Sequence, residues 1–205
     1  MVGFDVSHNL LPSDDYVPPE LVGLPEPITP EQFEELARLN RKLRLELTST
    51  GKLIIMPFRD LQTSARNFDL TYQLEAWTRK DGSGISVGSG TIFSLANRAM
   101  RSPNAAWFKC EKWDRLTKEE KERFARFSPD FVVELRSPID RLTQLRNKML
   151  EYIENGVSLG WLIDPLKRRV YVYQPNCEPV VLVDPVTVSA DPLLPGFTLD
   201  VTELW

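Results

Sequence analysis

The run SPDFVVELRSPIDRLTQLRNKMLEYIENGVSLGWLIDP, from Ser128 to Pro165, constrains this chain more tightly than any other stretch. It joins a segment of period two to one of period 3.6, and the change of period sets which side chains can meet. In FVVELRS, Val132, Glu134 and Arg136 share one face of a strand, and Phe131, Val133 and Leu135 share the other. The second face is wholly apolar. Residues two apart on a strand are separated by about 6.6 Å, so Glu134 and Arg136 can serve one site. Asp130 lies about 13 Å from Glu134 along the same strand, too far to chelate the same ion. The apparent "PD…E" motif is therefore a decoy.

Ser137 and Pro138 end the strand, and Asp140 is a suitable N-cap for a helix with apolar positions Leu142, Leu145, Met149, Tyr152 and Ile153. Asn155 and Gly156 close it. Lys148 sits on the flank of the apolar stripe, where its stem can be buried while its amine reaches past.

Upstream, Thr29, Pro30 and Gln32 form a capping box for a helix through Phe33, Leu36 and Ala37 to about Asn40. LRLELT, a turn at Thr50 and Gly51, and KLIIMP then read as a hairpin. Ser64 to Lys80 reads as a second helix with Phe68, Leu74 and Trp77 as candidate core, closed by DGSG. Strands follow around Ile85 to Phe93 and Asn104 to Phe108. Thr117 and Glu120 form another capping box, opening a charged helix expected to run to about Phe127. LGWLID, RVYVY and VVLV supply later strands. This alternation fits an α/β domain with a mixed sheet.

Residues 1–28, rich in proline and acidic residues, read as an arm with little core of its own, leaving 29–205 as one domain. The formal charge of −4 lacks the basic signature of an independent nucleic-acid binder. Two cysteines without a CxxC pattern give neither a disulfide framework nor a zinc site, and a cytoplasmic setting fits best. No leader pattern is visible, and no stretch approaches the ~20 apolar residues of a membrane span. The single histidine, His8, lies in the arm and leaves little material for histidine-based triads.

MPFRD followed by Arg66 and Asn67, GSGTIFSLANRAMRSPN, the run from Ser128 to Pro165, and the ending LPGFTLDVTELW together resemble the Uma-two family of restriction-endonuclease-like proteins, within the PD-(D/E)xK nuclease superfamily. The resemblance covers about residues 29–205. It implies a restriction-endonuclease-like core with a mixed central sheet flanked by helices, a divalent-metal site using Mg²⁺ or Mn²⁺, DNA as substrate, and a homodimer. By position, Glu134 is the strand glutamate and metal ligand, and Lys148 the lysine moved onto the following helix. Glu46 is the upstream acid, and Arg136 stands where the wider superfamily keeps lysine. Asn104 occupies the place of the metal-binding aspartate. An amide can coordinate a hard cation, but the lost charge weakens the site.

Plainer readings stand beside these. Glu134 could be only an edge residue paired with Arg136 on the same face, Lys148 could simply snorkel, and Glu46 could pair with Arg44 or Lys52 on a solvated hairpin face. Asn104 could serve only to turn the chain after Pro103. Two functional classes follow: an active endonuclease, or an impaired copy acting as a binding or assembly module. A small-molecule hydrolase on the same scaffold has no motif of its own here.

Overall fold

Thr29 opens the first helix as expected. Its hydroxyl accepts from the Gln32 N–H, the Gln32 side chain accepts from the Thr29 N–H, and Pro30 stands at the first helical position, giving α1 (Pro30–Leu39). The computed structural model describes residues 27–57 and 59–205. Most of the expected arm, His8 included, lies outside them. Ile28, at its end, donates its N–H to the Gly51 carbonyl and packs with Phe33, Leu45 and Leu47.

The hairpin forms β1 (Arg44–Leu47) and β2 (Leu53–Met56), antiparallel, with Arg44 opposite Met56 and Glu46 opposite Ile54. Helix α2 (Leu61–Asp81) starts at an Asp60 cap and stops at Gly82, whose φ of 73° suits a residue without Cβ. Strands β3 (Gly84–Gly88), β4 (Phe93–Ser94), β5 (Met100–Arg101) and β6 (Ala105–Lys109) follow. Then come short helices α3 (Cys110–Asp114) and α4 (Lys118–Lys121), strand β7 (Phe131–Leu135) and helix α5 (Leu142–Glu154). Strands β8 (Leu159–Asp164), β9 (Arg169–Tyr173), β10 (Val180–Val183), β11 (Thr187–Ser189) and β12 (Thr198–Asp200) complete the order.

The central sheet runs β10-β9-β8-β7-β6-β3, with β7 and β8 parallel across α5 and its other pairings antiparallel. A second sheet, β2-β1-β5-β4, holds the hairpin, and β11 pairs with β12. This is the mixed, helix-flanked sheet that the alternation of elements implies. Strand β7 divides its faces as its period requires. Phe131, Val133 and Leu135 pack with Leu70, Leu74, Trp161 and Phe197, while Val132 packs with Met149, Tyr152 and Leu162 beneath α5. Glu134 shares the face of Val132 and so lies on the α5 side.

Three local expectations are corrected. Phe68 is 73% exposed, because α2 turns Leu70 and Leu74 inward instead. Helix α4 is a single turn rather than a helix to Phe127, since Ala125 bridges to Phe93 and the Phe127 ring packs edge-on against Phe93 and Phe108. Asp140 is not the cap of α5; its carboxylate accepts from the Ser137 N–H and hydroxyl, and Arg141 holds the cap position without a side-chain cap bond. No described helix is long and apolar enough to cross a membrane.

The tightest backbone approach is in β3, where a Cβ on Gly84 would collide with the Trp107 ring. Gly84→Ala should cost about 1–3 kcal/mol by forcing that rigid indole to move. At Gly160 the obstacle is the flexible end of Met149, so Gly160→Ala should cost less. Urea denaturation of both variants tests this, and equal losses would contradict it.

Candidate functional site

Three elements deliver the site, two of them, β7 and α5, consecutive in sequence and the third, β1, far upstream. Leu45 and Leu47 of β1 point into the small core with Phe33 and Met100, which turns Glu46 the other way. Strand β7 presents Glu134 from the main sheet, and α5 presents Lys148 from above it. The Lys148 ammonium lies 2.7 Å from Glu46 Oε1 and 2.8 Å from Glu134 Oε1. Glu46, Glu134 and Lys148 are only 2%, 3% and 8% exposed. One buried cation thus joins two buried carboxylates.

Arg101 and Tyr152 complete this centre. Arg101 donates to Glu46 Oε2 at 3.2 Å and to Glu151 Oε2 at 2.6 Å. The Ser102 N–H donates to Glu46 Oε1 at 2.9 Å, and the Tyr152 hydroxyl donates to Glu134 Oε1 at 3.1 Å. Glu151 and Tyr152 stand three and four residues after Lys148, and that spacing could have placed them beside it. Nothing local to Arg101 signals its partners, which lie 55 and 50 residues away.

The environment treats the two carboxylates differently. Burial pushes Glu46 up, but the Lys148 and Arg101 cations and the Ser102 N–H outweigh it and hold Glu46 below its ordinary value. Burial and the Glu46 charge raise Glu134, and Lys148 only partly offsets them. Lys148 itself is raised, because the two carboxylates overcome its burial. Burial and the same carboxylates raise the Tyr152 hydroxyl well above its usual value, which keeps it a neutral donor.

Asn104 directly precedes β6, one step beyond the Ala105–Val133 pair, and so stands opposite Glu134 in register. Its N–H pairs with the Val133 carbonyl, its side-chain oxygen accepts from the Leu135 N–H at 3.0 Å, and its amide donates to Asn67 Oδ1 at 2.7 Å. The amide therefore continues the β6–β7 ladder past its last backbone pair. Arg136 does not meet Glu134. Its guanidinium reaches Asp164 Oδ2 at 2.9 Å and the Asp140 carbonyl at 3.2 Å, so the suggested Glu134–Arg136 pair gives way to a buried partner from β8. Asp130 bonds Lys112 and the Lys109 N–H, away from the site, as strand geometry requires. Glu46 is no solvated hairpin residue.

A cleft of about 480 Å³ opens over Glu46, Arg101, Lys148 and Glu151, walled by β2 and the start of α5. Among the described residues no group of three or more His, Cys, Asp or Glu could hold a metal ion. Two carboxylates and an amide do not make a zinc site; Mg²⁺ or Mn²⁺ keeps several waters and takes one or two protein carboxylates, and here Glu46 and Glu134 face the Lys148 ammonium while the Asn104 oxygen faces the Leu135 N–H.

Residues 30–202 match the model of the Uma2 family, described as putative restriction endonuclease. The chain belongs to that family. A solved structure described as a putative nuclease belonging to DUF820, from Anabaena variabilis ATCC 29413, superposes with a TM-score of 0.70 at 23% identity, covering 87% of this chain and 97% of that one. At that identity the likeness establishes the shared fold. No curated protein matches. The Uma2 assignment supports nuclease-type chemistry of the restriction-endonuclease class.

Proposed function

We propose that this chain is a divalent-metal-dependent endonuclease that hydrolyses phosphodiester bonds of DNA. The observation that carries this reading is the convergence of Glu46 and Glu134 on the Lys148 ammonium, with Glu46 and Lys148 lining an open cleft. Glu134 and Asn104 would hold Mg²⁺ or Mn²⁺, more weakly than an aspartate-bearing site would. When bound, the cation supplies an acidified water and charge neutralisation at the phosphoryl oxygens. Lys148 stabilises negative charge growing on the phosphate, since its raised pKa keeps it an ammonium. Glu46, tied by Lys148, Arg101 and the Ser102 N–H, stays ionised and fixes that ammonium. Glu134, raised by burial, is the better proton acceptor of the two, and Tyr152 orients it. Arg136, tied to Asp164, serves as a support beneath the strand end. The reading includes a homodimer in the cytoplasm, in keeping with the family resemblance and two free thiols.

A second reading is favoured by the engaged side chain of Asn104: an impaired copy that binds nucleic acid without cutting it. Supercoiled plasmid incubated with full-length protein and Mg²⁺ or Mn²⁺ separates the two. Nicking is expected in wild type, and Glu134→Gln should lower it by roughly a hundredfold or more while leaving the circular dichroism spectrum unchanged. Inert wild type that also shows no Mn²⁺ heat in calorimetry would remove the endonuclease reading.

A further inference from the structure

Strand β1 carries a second charged residue on the face that bears Glu46. Arg44 is two residues earlier, about 7 Å along the strand, and period two points it the same way. Its Nε and Nη2 are shielded from solvent and donate to nothing among the described residues. Arg44 pairs in register with Met56, and Arg59 follows three residues later, beyond the end of β2. Arg59 is close enough to Arg44 for the two cations to oppose each other, and it also feels Glu134, Asp140 and Glu46. Burial and Arg44 lower it to about 10, so it remains charged at neutral pH. Across the cleft, Arg141 at the start of α5 likewise has a shielded Nη2 without a partner.

Shielded donors without acceptors and adjacent like charges both cost stability. The nearby carboxylates do not relieve them. Glu46 and Glu134 are taken by Lys148, and Asp140 is taken by Ser137. An arginine fork matches a phosphate bidentately, and one dianionic or bridging phosphate can satisfy two forks at once.

We propose that Arg44, Arg59 and Arg141 form a clamp for a phosphate of the DNA backbone next to the bond held over Lys148. The clamp rests on the phosphodiester reading of the same cleft, and it supplies the local positive charge that a chain of net charge −4 otherwise lacks. The three side chains are half-buried; Arg141 lines the cleft, and Arg44 and Arg59 adjoin its β2 wall, Arg44 paired with Met56 and Arg59 two residues after Pro57. The clamp is built before the ligand arrives, at a cost to the free protein.

Binding is measured by fluorescence anisotropy with a 20-base-pair duplex in EDTA, where no cleavage occurs. Arg44→Gln combined with Arg59→Gln should weaken binding about tenfold or more at low salt and lower the slope of log affinity against log salt by about one to two. Arg44→Lys with Arg59→Lys should keep the slope yet lose affinity, because the charge remains without the fork. The glutamine pair should also melt no lower than wild type, since two unpartnered cations have been removed. A purely structural role predicts a lower melting temperature with unchanged affinity, and that result overturns the clamp, as does wild type that binds no duplex. Tighter binding to an RNA duplex of the same length overturns the assignment to DNA. Loss of binding in the variants, with no nicking and no Mn²⁺ heat in wild type, keeps the clamp and removes the endonuclease reading.

Discussion

Lys148→Met should destabilise the protein at pH 7.5 by about 3–5 kcal/mol, roughly 10 °C in melting temperature. Methionine keeps the length of the buried stem and removes only the ammonium, leaving Glu46 and Glu134 facing each other at 2–3% exposure. Arg101 still answers Glu46, but among the described residues nothing cationic within hydrogen-bond reach answers Glu134. The pH dependence identifies the cause. Without the ammonium, burial and mutual repulsion raise the folded-state carboxylates above the unfolded value near 4.5. A group so raised contributes stability that is present below its unfolded pKa and lost as pH rises through the folded one. The variant should therefore regain stability as pH falls from 7.5 to 5, and by more than wild type, in which only Glu134 is raised. Urea titrations at the two pH values measure this. A deficit under about 1 kcal/mol, or one that is the same at both pH values, would mean that Lys148 does not neutralise the pair.

Asn104→Asp should increase affinity for Mn²⁺ about tenfold or more and increase plasmid nicking with it. One aspartate oxygen can keep the Leu135 N–H. The other replaces the amide that now donates to Asn67, so Asn67 must flip to present its own amide. Asn67 Nδ2 loses little by turning, as its bond to Ser89 Oγ is long at 3.5 Å. In EDTA the new carboxylate adds a third negative charge near Glu134 and Glu46, so the variant should melt below wild type; saturating Mn²⁺ should reverse the order. Calorimetry and paired melting curves read this independently of cleavage. Unchanged affinity together with unchanged melting in EDTA would place residue 104 outside the metal's reach.

The parts of this molecule that could be read from sequence are those decided within one turn or one strand. The Thr29 box, the Arg44–Met56 hairpin and the split faces of β7 follow from period and capping alone, and the exclusion of Asp130 needed only the rise of a strand. Glu134 and Lys148 were legible because a strand and its following helix carry them together. Long-range competition decided the rest. Asp164, buried on β8, takes Arg136 from 28 residues away, and Arg101 reaches Glu46 from 55. The Asp140 carboxylate had two chemically sound uses, and the Ser137 pair won over the helix cap. Phe68 is a large apolar residue on a helix whose buried stripe is set by its neighbours, so hydrophobicity alone placed it on the wrong face.

The Lys148 ammonium is also the rivet between two sheets. Glu46 belongs to the four-stranded sheet and Glu134 to the six-stranded one, and the helix that follows Glu134 fastens them through a single nitrogen. A descendant that gave up cutting could not freely discard these residues, because losing the lysine would loosen the joint that holds the halves of the molecule in register. Intact glutamates and lysine in such a protein thus testify first to architecture. Catalytic standing is better judged at the arginines around the cleft, whose shielded donors meet no partner among the described residues.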